Sequence, residues 1–127
     1  MTDEQQELAR RAAECKAWRW MPGALTQFGR IYERPSGEVT LSGRAWRMGD
    51  IPTVSDLLPD LTDPATLGCL LALVRVAWVD EGAHVWCDYR TGQWAWMAGR
   101  QYCSVHGGPD GYSTEAHALV AALEAAP

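Results

Sequence analysis

Thr62-Asp63-Pro64-Ala65-Thr66-Leu67-Gly68-Cys69-Leu70-Leu71-Ala72-Leu73-Val74-Arg75-Val76-Ala77-Trp78 is the stretch that decides the fold. Thr62 or Asp63 can cap a helix, and Pro64 suits its first turn, where no N–H donor is needed. Leu67, Leu70, Leu71, Val74 and Trp78 recur at helical spacing, while Cys69, Ala72 and Val76 make the remaining side apolar too. A helix that is apolar nearly all round belongs in a core. The reading is therefore a central, largely buried helix over 64–78, ended by Asp80-Glu81-Gly82.

Strands lie on both sides of it. Phe28 to Glu33 and Glu38 to Ser42 flank Arg34-Pro35-Ser36-Gly37, which suits a type I turn with Pro second and Gly fourth. Pairing Glu33 with Glu38 would put Phe28, Tyr32, Val39 and Leu41 on one face. Arg44 to Met48 can add a third strand, and Asp50 to Leu61 reads as loop. After the central helix, Ala83 to Tyr89 and Gln93 to Ala98 form a second hairpin around Thr91-Gly92. Opposing Tyr89 and Trp94 would put Val85, Cys87, Tyr89, Trp94 and Trp96 on one face, with Trp86, Asp88, Ala95 and Met97 on the other. Arg100 to Val105 reads as a further strand, followed by a turn over 106–111.

Helices close both ends. Thr2 and Gln5 make a capping box for a helix running to about Trp18, with Leu8, Ala12, Cys15 and Trp18 on one side. Ser113 is read as the cap of a last helix, whose stripe is Ala116, Leu119, Val120 and Leu123. The order α-β-β-(β)-α-β-β-β-α makes the chain α+β: an antiparallel sheet of two hairpins plus further strands, packed with three helices. With 127 residues and no linker-like segment, one domain over 1–127 is expected.

Charge and composition narrow the partners. A net charge of −5 with no basic block disfavours duplex nucleic acid and anionic membranes, which need a positive patch. The acidic start Met1-Thr2-Asp3-Glu4 is unlike a secretory signal, and the apolar run from Leu67 to Ala77 is too short to span a bilayer. A cytoplasmic location follows as the expectation, with the four cysteines as free thiols.

Few residues suggest chemistry. His84, Cys87, Cys103 and His106 have the arithmetic of a small zinc site, two ligands, a loop and two more. Both pairs fall on expected strands, however, where residues three apart point to opposite faces. Core thiols and strand-end histidines explain them better, so neither metal nor other cofactor is expected. Gly107-Gly108-Pro109-Asp110-Gly111 lacks the Lys and the Gly spacing of a phosphate loop. No nucleophile has a base and an orienting group at readable spacing, so the chain is not read as an enzyme.

The outlier is tryptophan, seven residues against one phenylalanine. Trp78, Trp94 and Trp96 fit a core. Trp18-Arg19-Trp20 and Arg44-Ala45-Trp46-Arg47 instead interleave Trp with Arg. Burying Arg without an acidic partner is costly, so part of these segments should reach the surface. Trp and Arg together are the composition of a binding hot spot. The expected partner site is Trp20, Arg44, Trp46 and Arg47, with Trp18 and Trp86 as weaker members.

Cys15-Lys16-Ala17-Trp18-Arg19-Trp20-Met21-Pro22-Gly23, the run from Pro59 to Leu71, and the run from Thr114 to Glu124 give the chain a family likeness. It resembles small uncharacterised accessory proteins of tailed bacteriophages and prophages. The resemblance implies a protein made in an infected bacterium that binds a component of its host, including the host's antiviral defences. The expected function is non-enzymatic: binding that blocks or sequesters a host protein. The alternative is a sponge for a small signalling nucleotide, which for so short a chain would place the pocket at a homodimer interface. A small enzyme with an unrecognised site is third.

Overall fold

Thr2 and Gln5 open the first helix reciprocally. The Thr2 N–H donates to Gln5 Oε1 (2.9 Å) and the Gln5 N–H to Thr2 Oγ1 (3.2 Å), a complete capping box. In the computed structural model, which describes residues 2–33, 35–36, 39–41, 44–46, 57–99 and 111–127, this helix is α1 (Asp3–Glu14). It ends four residues short of Trp18, and its buried face is Ala9, Ala12 and Ala13.

The other elements are β1 (Leu25–Thr26), β2 (Gly29–Glu33), β3 (Val39–Leu41), β4 (Arg44–Trp46), α2 (Pro64–Trp78), β5 (His84–Cys87), β6 (Trp94–Met97) and α3 (Glu115–Glu124). Among the described residues, three helices and two small antiparallel sheets make the fold α+β, with sheet orders β1-β2-β3-β4 and β5-β6. The expected strand over 100–105 and the turn over 106–110 lie outside the described residues. No described helix is long and apolar enough to cross a membrane.

The chain forms two compact units, Met1–Glu14 with Arg19–Cys69 and Cys15–Trp18 with Leu70–Pro127. In the first, β1 and β2 make a tight hairpin through Gln27 and Phe28. Buried Thr26 pins it: its Oγ1 donates to Gly29 O (2.8 Å) and accepts from the Phe28 N–H (3.0 Å). Pro59 bridges to Thr26, and the Asp60 N–H donates to Leu25 O, so part of the expected loop lies along β1.

The register of β2 and β3 corrects the sequence reading by one residue. Glu33 pairs with Val39, Tyr32 with Thr40 and Ile31 with Leu41. A one-residue slip exchanges the faces of a strand. Ile31 is therefore the buried residue of β2, and Tyr32 is exposed. The physical reason is that Gly29-Arg30-Ile31-Tyr32-Glu33 has one aliphatic side chain, and burying it sets the alternation.

Helix α2 runs over the expected residues, but its buried side is rotated. Thr66, Leu70, Leu73 and Val74 are buried, whereas Leu67, Leu71 and Trp78 are half-buried. Ala65, Gly68, Arg75 and Val76 are exposed, so the helix is amphipathic rather than buried all round. Thr66 takes a core position because its hydroxyl is fully used. It donates to Asp63 Oδ2 (2.9 Å) and accepts from the Leu25 N–H (2.8 Å).

The end of α2 is a Schellman motif. The Asp80 N–H donates to Arg75 O (3.0 Å) and the Val79 N–H to Val76 O (3.1 Å). The residue that must turn left-handed is Val79, at φ +50°, where glycine is usual. Its β-branched side chain is strained there and 93% exposed.

In the second unit α3 lies against the β5–β6 hairpin. Its N-cap is Thr114 rather than Ser113, its hydroxyl accepting from the His117 N–H (3.1 Å). The expected stripe Ala116, Leu119, Val120 and Leu123 is buried, together with Ala118 and Ala122. The Trp78 indole N–H donates to Ala122 O (2.8 Å), and its ring lies 5.7 Å from that of Trp96. Cys87 pairs with Trp94 and Val85 with Trp96, two residues from the expected register. An even slip leaves the faces unchanged, so Val85, Cys87, Trp94 and Trp96 still share one. Tyr89 falls in the turn, exposed.

Candidate partner-binding surface

The β1–β2 hairpin presents aromatic surface on a fixed backbone. Phe28 at its tip is 57% exposed and Tyr32 on β2 is 59% exposed. Between them Arg30 is anchored. Its Nη1 donates to Gly23 O (2.7 Å) and to Asp63 Oδ2 (2.9 Å), and its Nη2 donates to Asp63 Oδ1 (2.9 Å).

Asp63 collects these bonds while capping α2. Its Oδ2 also accepts from the Thr66 N–H (3.0 Å) and the Thr66 hydroxyl (2.9 Å). The hydrogen bonds from Arg30, followed by those from Thr66, hold this carboxyl far below the usual carboxylate range, and the pair raises the Arg30 guanidinium in turn. One bidentate pair thus ties strand to helix. The Arg30 guanidinium is neutralised by this carboxylate.

The residues expected from sequence are placed as follows. Trp20 is half-buried in the first unit, whereas Trp18 belongs to the second and is 9% exposed. The two indoles of Trp18-Arg19-Trp20 are therefore assigned to different units. Arg44 and Trp46 lie on β4, pairing through the backbone with Leu41 and Val39. That puts them in the sheet that contains Tyr32, two strands from β2. Arg47 lies outside the described residues. Trp86 is half-buried on β5, its ring 5.5 Å from that of His84.

Phe28 and Tyr32 were missed as surface residues because the expected register turned them inward. The available signal was Ile31, a single aliphatic residue alternating with Arg30 and Tyr32.

Reactive groups are dispersed. His84 and Cys87 sit at opposite ends of β5, both exposed; Cys103 and His106 lie outside the described residues. Among the described residues, no group of three or more His, Cys, Asp or Glu is placed to hold a metal ion. Cys15, Cys69 and Cys87 are free thiols. Burial pushes the Cys69 thiol up, which disfavours the thiolate a nucleophile needs.

Comparison with known proteins yields no matching family model, no matching curated protein and no matching solved structure.

Proposed function

We propose that the chain is a non-enzymatic binding protein that engages a partner protein through the β1–β2 surface around Phe28 and Tyr32, with Trp20 and the β4 segment Arg44–Trp46 as neighbours in the same unit. The observation that carries this reading is the joint exposure of Phe28 and Tyr32 on a hairpin held by Thr26 and by the Arg30–Asp63 pair. Exposed aromatics on a rigid support lose little entropy on binding, and aromatics with Arg dominate interface hot spots. In an infected bacterium the partner is a host protein, whose blocking or sequestration is the biological effect.

The test uses the full chain as bait for proteins of a bacterial lysate, followed by titration of the purified partner. Phe28→Ser with Tyr32→Ser should weaken binding by at least about tenfold, with unchanged circular dichroism. Tyr89→Ser, at the exposed turn of the other hairpin, should leave binding intact. Equal binding by the double variant would refute the assignment. Retention of a small nucleotide instead of a protein would favour the sponge.

A further inference from the structure

The edge of β5 that faces away from β6 carries an inference independent of the β2 surface. Trp94 spends both backbone groups on Tyr112, donating to its carbonyl (2.7 Å) and accepting from its N–H (2.9 Å). Cys87, opposite Trp94, is therefore in a non-hydrogen-bonded pair of the β5–β6 ladder. Its own N–H and C=O point away from β6, and by alternation so do those of Val85. The Asp88 N–H confirms the phase, donating inward to Gln93 O (2.8 Å). Among the described residues, β5 pairs with β6 alone.

His84-Val85-Trp86-Cys87 contains no Lys, Pro or acidic residue, three of the devices that keep edge strands from pairing.

We propose that the occupant is a second copy of this chain, paired antiparallel along β5 about a two-fold axis at Trp86. The outward groups allow only registers that set outward residues opposite each other; the one that also brings His84 opposite Asp88 has Val85 facing Cys87 of the second copy, and Cys87 its Val85. Trp86 then faces Trp86 in a non-hydrogen-bonded pair, the closer of the two spacings and a favourable site for an aromatic pair. His84 falls opposite Asp88 of the second copy, twice over by symmetry. The polar atoms suit this. His84 Nδ1 lies 2.9 Å from Gly82 O, so only the protonated ring, with a donor on both nitrogens, can also give Nε2–H to Asp88; Asp88 Oδ1 accepts from the Arg90 N–H (2.8 Å), which leaves Oδ2 for the partner. The His84–Asp88 contact thus selects one of the registers that the outward groups allow. The product is a continuous antiparallel sheet across the dimer.

Sedimentation equilibrium of the full chain tests it. The wild type should dimerise in the micromolar range. Val85→Pro removes a donor that the β5–β6 ladder does not use, so it should give a folded monomer. Should that variant fail to fold, charge exchange decides. His84→Asp and Asp88→Lys should each weaken the dimer, about tenfold for His84→Asp, which sets like charges opposite each other twice. Mixing the two variants should restore association, because each supplies the sign that the other lacks. A wild type that stays monomeric at high concentration, or a dimer indifferent to all three changes, overturns the proposal. Neither result bears on Phe28 and Tyr32.

Discussion

Arg30 grips Asp63 through two parallel hydrogen bonds, both 2.9 Å, while Asp63 caps the helix that begins at Pro64. One carboxylate thereby fixes the start of α2 and its attachment to β2. The folded protein holds this carboxyl below its unfolded value of about 3.9. An acid of lowered pKa binds more protons when unfolded, so its stabilisation is complete above the unfolded pKa and is lost as pH falls towards the folded one. Asp63→Asn should therefore lower the urea midpoint more at about pH 6 than at about pH 2.5, where part of the stabilisation is already lost. Arg30→Met should show the same convergence. Equal losses at both pH values would mean that the pair has no electrostatic role.

Val79 is a β-branched residue in the left-handed position of a Schellman motif. Left-handed backbone costs an ordinary residue about 1–2 kcal/mol, and glycine escapes that cost at some loss of entropy. Val79→Gly should raise stability by about 1 kcal/mol, since the 93% exposed side chain forfeits almost no packing. Thermal melts would show it as a higher midpoint.

Leu70 and Leu71 separate the two readings of α2. Leu70 is fully buried and Leu71 half-buried. Leu70→Ala should cost about 2–5 kcal/mol, and Leu71→Ala clearly less. Equilibrium denaturation of both variants measures the rotation of the helix directly.

Gly99 sits beneath Trp78 at φ +72°, and a Cβ there would come within 3.1 Å of Trp78 Cε3. Gly99→Ala should lower stability by about 1 kcal/mol or more, through backbone strain and displacement of the indole. Trp78→Phe keeps a ring but removes the donor to Ala122 O, and should cost about 1–2 kcal/mol. Near-ultraviolet circular dichroism should report the changed Trp78–Trp96 geometry in each case.

How much was legible follows from the range of the signals. Capping is local, so Thr2 with Gln5 could be read in full, and the start of α2 at Pro64 with it. The α3 cap was misplaced by one residue because Ser113 and Thr114 offer the same hydroxyl, and backbone geometry alone chooses. Both hairpin registers slipped, with opposite consequences. The two-residue slip at Cys87–Trp94 preserved the faces, whereas the one-residue slip at Glu33–Val39 exchanged them and exposed Tyr32. Of the expected partner site, the interleaving of Arg and Trp was visible, but the assignment of Trp18 and Trp20 to different units was not.

By itself, the sequence determined what depends on neighbours along the chain: three helices, two hairpins, the α+β class and the alternation within each strand. Tertiary structure alone decided what depends on distant partners. It put Thr66 in a core position because Leu25 and Asp63 satisfy its hydroxyl, and it placed Arg30 opposite a carboxylate 33 residues away. Periodicity states which residues share a face; only the surface that packs against the sheet chooses which face is buried.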